Sequence, residues 1–177
     1  MNIFDKVLEE AFKFQPSESE EQRYEAGNRE VEKKVADYVK YGSQGDLNLS
    51  YIAFSVVPDT LKVVNGKFSL LYTKVSKLPD NLTVNGSFLL QESPITQLPD
   101  NLTVIDVLHL SFLKLDKIES IPNNIKARAV NLFFCPLANK LLGIYKQSGS
   151  KEKIKSLYPG IGLLSIYNSK TDSMVLF

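Results

Sequence analysis

The stretch Leu78–Val104 reads LPDNLTVNGSFLLQESPITQLPDNLTV and contains the segment LPDNLTV twice, at Leu78–Val84 and at Leu98–Val104. The second segment begins 20 residues after the first (98 − 78). A fixed period of this length is the sequence signature of a solenoid, in which each copy forms one coil and stacks on the next. The stretch therefore predicts a chain that winds in short, equivalent coils.

Similar copies extend to both sides of this stretch. They begin at Gly45, Gly66, Gly86 and Asp106, and a fifth, irregular copy begins at Ala129. The steps between the starts are 21, 20, 20 and 23 residues (66 − 45, 86 − 66, 106 − 86, 129 − 106). We therefore expect about five coils, each of which buries its apolar side against its neighbours.

Each copy opens with two apolar residues separated by one residue, which is the pattern of a strand with one buried face. These pairs are Leu47/Leu49, Phe68/Leu70, Phe88/Leu90, Leu108/Leu110 and Val130/Leu132. A third apolar residue follows five positions later, at Phe54, Val75, Ile95, Leu115 and Leu137. A turn with Pro and Asp or Asn comes next. We then expect a second inward pair, at Leu61/Val63, Leu82/Val84, Leu102/Val104 and Ile125/Ala127.

The copies resemble leucine-rich repeats of the short form G-x-L-x-L-x-x-T-x-I-x-x-LPDNL, over about Gly45–Leu141. They are most similar to repeat proteins of tailed phages and some bacteria, and less similar to the leucine-rich-repeat part of bacterial effector proteins. The segments PLANK and KIKSLYPGI also resemble the ends of the phage proteins. Effector ubiquitin ligases carry an additional catalytic domain, which has no counterpart here, so their activity is not implied.

The ends of the chain read as caps that cover the open ends of the solenoid. Residues 1–44 are predicted to be helical, with a first apolar stripe at Ile3, Phe4, Val7, Leu8, Ala11 and Phe12. A second helix is expected over about Ser19–Tyr41, with Ser17 or Ser19 as its N-cap. In residues 136–177 we expect helices at Pro136–Lys146 and Ser150–Tyr158. A hairpin of Leu163–Tyr167 with Ser173–Phe177 would follow.

The predicted fold is therefore α+β: a leucine-rich-repeat-like parallel β-solenoid of about five coils in residues 45–135. It has a helical N-terminal cap in residues 1–44 and an α/β C-terminal cap in residues 136–177. We expect these three parts to form one structural domain.

Composition excludes several classes of protein. The chain has 177 residues, a net charge of +1, one Cys and one His, so it has no internal disulfide and no His/His or four-Cys metal motif. Its start lacks the basic and apolar regions of a signal peptide, and we expect a cytoplasmic protein. Charge is uneven, at −3 for residues 1–41 and +6 for residues 126–177. The basic end is either a solvated cap or a surface for an anionic partner.

No constellation of residues indicates catalysis, a cofactor or a metal. Cys135 occupies the slot that Ile52, Thr73, Ser93 and Leu113 hold in other copies, and we interpret it as an inward-facing structural residue. His109 lies between Leu108 and Leu110 and is expected on the outer side of its strand. The three aspartates that recur with the turn, at Asp59, Asp80 and Asp100, are interpreted as turn caps.

The outward side chains of the strands define a surface that we call the strand face. Its predicted protein-binding residues are Asn48, Ser50, Lys67, Ser69, Leu71, Leu89, Gln91, Val107, His109, Ser111, Asn131 and Phe133. Its side chains are mainly small and polar, with a few apolar residues and few charges. This composition suits a protein partner better than a nucleic acid. The alternative is a face that is solvated or covered by a cap. A second candidate surface just past each strand, at Tyr51, Tyr72, Glu92, Phe112 and Phe134, is either rim packing or interface material.

We therefore expect a non-enzymatic protein-interaction module without membrane attachment. The resemblance allows that it is phage-encoded and acts in the host cytoplasm by binding or inhibiting a host factor, such as a defence component. One alternative is a structural or self-assembling virion accessory protein. A weaker alternative is nucleic-acid binding through the basic C-terminal region. The oligomeric state is left open.

Overall fold

A computed structural model describes residues 19–168 and 172–177. Its first element is helix α1 (Glu20–Lys40), which begins at the N-cap Ser19. The Ser19 hydroxyl accepts a hydrogen bond from the Gln22 amide at 3.2 Å, and the Gln22 side chain accepts one from the Ser19 amide at 3.0 Å. This capping box fixes the start of the helix where the sequence predicts it. The first predicted helix, at Ile3–Phe12, lies outside the described residues.

In the described part of the chain, nine strands form one sheet. They are β1 (Leu47–Asn48), β2 (Val63–Val64), β3 (Phe68–Ser69), β4 (Thr83–Val84), β5 (Phe88–Leu89), β6 (Thr103–His109), β7 (Lys126–Leu132), β8 (Ile161–Asn168) and β9 (Ser173–Leu176). The first ladder runs β1-β3-β5-β6-β7-β8 in parallel, with residue pairs such as Leu47 with Phe68 and Phe68 with Phe88. The second ladder runs β2-β4-β6, also in parallel. The described chain is thus a parallel β-solenoid of about four turns.

The two ladders join where β6 begins. In the first coils a turn at Asn65-Gly66 and Asn85-Gly86 separates the short strands, whereas β6, β7 and β8 each run through both ladders. Between Val104 and Val107 the register of β6 against β7 shifts, because β7 has one residue fewer at the corner. A Cβ atom on Gly86 would lie 2.7 Å from the backbone of Gly66, so this corner requires glycine for the coils to approach.

The core contains the inward residues that the repeat predicts. Leu49, Leu70, Leu90, Leu110 and Leu132 are fully buried, and so are the third apolar residues of the copies. Phe68 and Phe88 stack on each other inside the solenoid, with ring centroids 4.8 Å apart and an interplanar angle of 11°. Each coil therefore completes the core of the coil before it, as the period implies.

The prediction that Val63 belongs to the core is wrong. Val63 is 38% exposed, and Val64 is the buried residue of that coil. Val64 pairs with Val84, 20 residues later, whereas Leu61 and Leu82 are 21 residues apart. The first coil therefore has one additional residue between Leu61 and Val64. Because side chains alternate along a strand, that residue turns Val63 outward.

The turns after Pro79-Asp80 and Pro99-Asp100 are held by asparagines. Asn81 and Asn101 have positive φ angles of 60° and 56°, a conformation that Asn tolerates better than most residues. The Asn101 side-chain amide donates to Asn81 Oδ1 at 3.0 Å, and that of Asn124 donates to Asn101 Oδ1 at 3.1 Å. The hydrogen bonds between side chains at these turns thus form an asparagine ladder along the solenoid.

The C-terminal part contains two small helices and two strands. Helix α2 (Pro136–Ser148) follows the strand of the fifth copy, and α3 (Lys151–Lys155) has Ser150 as its N-cap. The predicted hairpin is confirmed, because β8 and β9 pair in antiparallel. β8 begins earlier than predicted and also pairs in parallel with β7, so it adds a rung that the repeat does not encode. A short 3-10 helix, Ile118–Ser120, precedes β7.

Candidate interaction surface

The strand face is partly accessible along its length. Of the twelve predicted residues, Asn48 and Lys67 are exposed, and eight are half-buried: Ser50, Leu71, Leu89, Gln91, Val107, His109, Asn131 and Phe133. The other two, Ser69 and Ser111, are buried, at 7% and 5% accessibility. The first ladder therefore brings ten of the twelve residues to the surface. The small side chains of Ser69 and Ser111 lie between larger neighbours and contribute little contact area.

The polar end of the strand face is ordered by its own hydrogen bonds. The hydroxyl groups of Ser50 and Ser69 lie 2.7 Å apart, and the Ser50 hydroxyl also accepts from the Leu71 amide at 3.1 Å. Asn48 Oδ1 accepts from the Ser50 amide at 3.0 Å. These side chains are fixed before any partner arrives, which lowers the entropy cost of binding.

Four apolar side chains are distributed along the strand face, on different rungs and among polar neighbours. Leu71, Leu89, Val107 and Phe133 are half-buried and lie on the first ladder, in adjoining outward columns. Phe133 is held by an edge contact with Tyr167 of β8, at 6.4 Å between ring centroids. The strand face thus mixes apolar and polar side chains, as the surfaces of protein interfaces do.

His109 lies at the centre of a polar cluster on this face. Its Nδ1 is 3.2 Å from the Asn131 side-chain amide, a contact that fits the neutral imidazole with its proton on Nε2. Asp106 accepts hydrogen bonds from Ser87 at 2.5 Å and from Arg128 Nε at 3.0 Å, and these lower the pKa of its carboxyl group. Burial lowers the pKa of His109 below 6.5, although the Asp106 charge acts in the opposite direction.

We expect the His109 imidazole to titrate with a midpoint below 6.5, because burial disfavours its charged form. The stability that the protein gains from keeping His109 neutral is complete above pH 6.5. It is lost as the pH falls from 6.5 through the lower pKa of the folded protein, because the unfolded chain takes up the proton first. An NMR pH titration of the single His measures the midpoint directly. Asp106→Asn should lower the midpoint further, because it removes the neighbouring negative charge. A wild-type midpoint at or above 6.5 would contradict this prediction.

The residue that follows each strand forms an exposed ridge. Tyr51, Tyr72, Phe112 and Phe134, which we call the aromatic row, occupy this position in four coils, and Glu92 occupies it in the coil between Tyr72 and Phe112. All five residues have positive φ angles, between 54° and 63°. Tyr51 stacks on Tyr72 at 5.3 Å, and Phe112 on Phe134 at 4.8 Å. The second candidate surface is therefore accessible, but Glu92 divides it into two pairs.

Cys135 is buried, as predicted for its slot. Its thiol donates a hydrogen bond to the Leu110 carbonyl at 2.8 Å, and burial raises its pKa to about 11. Thr73 and Ser93 occupy the same slot and donate to the carbonyl groups of Leu70 and Leu90, each at 3.0 Å. In these three coils the slot thus carries a small donor that satisfies a backbone carbonyl, whereas Ile52 and Leu113 fill it with apolar side chains.

Within residues 19–168 and 172–177, no group of three or more His, Cys, Asp or Glu side chains is placed to hold a metal ion. In the same part of the chain, no helix has the length and apolar character that crossing a membrane requires. Comparison with protein-family models, with curated proteins and with solved structures finds no match for this chain.

Proposed function

We propose that this chain is a non-enzymatic protein-interaction module that binds a partner protein through the strand face. The observation that carries the proposal is the accessibility of four apolar side chains on successive rungs, at Leu71, Leu89, Val107 and Phe133. Charged side chains are few along this face: Asp46, Lys67 and the Asp106–Arg128 ion pair of β6 and β7. A low density of charge around apolar side chains is typical of the core of an interface.

The dimensions of the strand face are compatible with this function. Neighbouring rungs lie about 4.8 Å apart, so five rungs span about 20 Å. A standard interface buries about 800 Å² on each partner, and the strand face supplies part of such an area. The aromatic row borders it directly, since Leu71 and Tyr72 are consecutive, as are Phe133 and Phe134. We propose that a partner contacts both.

We also propose that the solenoid is of the leucine-rich-repeat type and that its five sequence copies form five coils. This proposal is supported by the recurring LPDNL segment and by the inward leucines of the first ladder. If the chain is phage-encoded, its partner is a host factor in the host cytoplasm, and binding blocks or redirects that factor. A defence component is the kind of target that this resemblance favours.

A pull-down from bacterial lysate tests the function. Wild type is compared with the double variant Leu89→Asp/His109→Asp, which places two charges in the strand face. A matched control, Val63→Asp/Ile105→Asp, places two charges at exposed apolar residues near the second ladder. Circular dichroism and thermal melting first establish that all three proteins fold. Capture of one protein by wild type and the control, and its loss with the strand-face variant, would support the proposal. Equal capture by all three would remove the strand face as the site.

A structural or self-assembling role is the second candidate, and the position of β9 favours it. β9 is the last strand of the sheet, and among the described residues it pairs with β8 alone. Met174 and Leu176 are exposed on it, and an edge strand of this kind can pair with another chain. A discrete oligomer by light scattering, with no protein captured from lysate, would favour this role.

Nucleic-acid binding through residues 126–177 stays a weaker alternative, which steeply salt-dependent binding would support.

A further inference from the structure

A groove lies between the first turn of α1 and the turns of the first two coils. It has a volume of about 420 Å³ and is lined by Glu20, Arg23, Tyr24, Tyr51, Ile52, Ala53, Tyr72 and Lys74. We call it the tyrosine groove. Its volume is within the range of about 300–1,000 Å³ that is typical of small-molecule sites. It is separate from the strand face, because none of the predicted strand-face residues lines it.

The position of α1 determines the width of the tyrosine groove. Gly27 packs so closely on the first coil that a Cβ atom there would lie 2.0 Å from the Ala53 carbonyl oxygen. Gly27 is buried, whereas Arg23, one helical turn earlier, is exposed and lines the groove. The helix is therefore fixed at Gly27, and its first turn extends over Tyr51 and Lys74 without closing the space between them.

The two tyrosines form a flat wall. Tyr51 and Tyr72 are stacked with an interplanar angle of 15°, and they are 72% and 58% exposed. Tyr72 covers one face of the Tyr51 ring, and within residues 19–168 and 172–177 no earlier coil covers the other face. The positive φ angles of both residues cost energy that the chain avoids at other turns by using Asn or Gly. The turn itself does not require tyrosine, since Glu92 occupies the same position in another coil. The backbone conformation therefore does not account for the two exposed tyrosine rings.

The rest of the lining of the tyrosine groove is mainly polar and carries both signs of charge. Arg23 and Lys74 supply donors, Glu20 supplies an acceptor, and the Tyr24 hydroxyl group can act as both. Within the described residues, Glu20, Arg23 and Lys74 take part in no ion pair. Their hydrogen-bonding capacity is thus available to a ligand that offers both donors and acceptors.

A carbohydrate matches this combination. One side of a pyranose ring presents C–H groups that pack on the electron-rich face of an aromatic ring, and its hydroxyl groups both donate and accept hydrogen bonds. A phosphorylated ligand matches less well, because Glu20 lines the groove and the capping box already uses the Gln22 amide. Glu20 and Glu21 also offset the positive end of the helix dipole.

We propose that the tyrosine groove binds one or two sugar rings of a glycan, with a pyranose ring packed on Tyr51. Arg23, Lys74 and Glu20 bind the hydroxyl groups of the ligand. This activity is additional to the protein binding proposed for the strand face, and the two surfaces share only Tyr51 and Tyr72 of the aromatic row.

The full chain is tested on a printed array of neutral and acidic oligosaccharides, and the glycan retained best is then titrated by calorimetry. We expect Tyr51→Ala to weaken binding about tenfold, because it removes the stacking surface. Arg23→Ala, at an exposed position of α1, should also weaken it and gives a second test if Tyr51→Ala fails to fold. Phe112→Ala is the matched control, since Phe112 has the same slot and a φ angle of 62° but lies outside the groove. It should leave the affinity unchanged.

Three results would overturn the proposal. The first is that no glycan on the array is retained by the wild-type chain. The second is that Phe112→Ala weakens glycan binding as much as Tyr51→Ala does, which would indicate a nonspecific effect of the aromatic row. The third is that adenosine or uridine monophosphate binds and that Tyr51→Ala and Arg23→Ala abolish this binding, while glycans are not bound. That result would assign the groove to nucleotides instead.

Discussion

Phe88→Ala is expected to lower the free energy of unfolding by about 3–5 kcal/mol, the usual cost of removing a buried aromatic ring. Phe88 is fully buried and stacks on Phe68 at 4.8 Å, so truncation leaves a cavity between two coils. Neither coil can collapse into this cavity easily, because the first ladder fixes their spacing on one side. Urea denaturation followed by circular dichroism measures the loss.

Phe88→Leu is the matched control for this change. Leucine occupies the same slot in two other coils, at Leu47 and Leu108, where it is also buried. We expect the leucine variant to lose less than about 1.5 kcal/mol, since it keeps most of the apolar volume. A loss for Phe88→Ala no greater than that for Phe88→Leu would mean that the Phe68–Phe88 stack contributes little to the core.

Gly27→Ala is expected to destabilise the protein by about 1–3 kcal/mol, although alanine is normally the better helix former. The added methyl group would lie 2.0 Å from the Ala53 carbonyl oxygen, a backbone atom that cannot move away alone. The helix must then shift off the first coil, which exposes its buried residues Val31 and Val35. Urea denaturation gives the energy, and hydrogen exchange of the α1 amides shows whether the loss is local.

Gly143→Ala in α2 provides the comparison. No atom lies within 4 Å of the position that its Cβ would occupy, so the substitution introduces no clash. We expect Gly143→Ala to raise stability by up to about 1 kcal/mol, the ordinary gain for this exchange within a helix. If both variants gain stability, α1 does not pack on Ala53 as closely as described.

The repeat allowed the inward positions of the first ladder to be predicted, because period-two alternation and a 20-residue step leave one arrangement for Phe68, Phe88 and Leu108. The error at Val63 arose where the step changed within a coil. The pairing of Val64 with Val84 required one inserted residue between Leu61 and Val64, and either valine is apolar enough for the core. Hydropathy alone therefore could not choose between them.

The candidate sites differ in how far sequence could reach them. The strand face followed from alternation, and the outward position of His109 is confirmed. The burial of Ser69 and Ser111 did not follow, because it depends on the size of side chains on neighbouring rungs. The tyrosine groove could not be predicted from the repeat either. Its other side comes from α1, and the contact of Gly27 with Ala53 that places this helix joins distant parts of the chain. A glycine inside an amphipathic helix was the available signal.

The antiparallel direction of β9 has a consequence for how the length of such a protein can evolve. A coil inserted between Gly66 and Gly86 meets equivalent neighbours on both sides, whereas a coil added beyond β9 meets a strand that runs the wrong way to extend a parallel ladder. Unequal recombination between the two LPDNLTV segments would insert or delete one such unit of 20 residues (98 − 78). Each event would change the length of the strand face by about 4.8 Å, one rung, while the helix at one end and the hairpin at the other kept their own contacts.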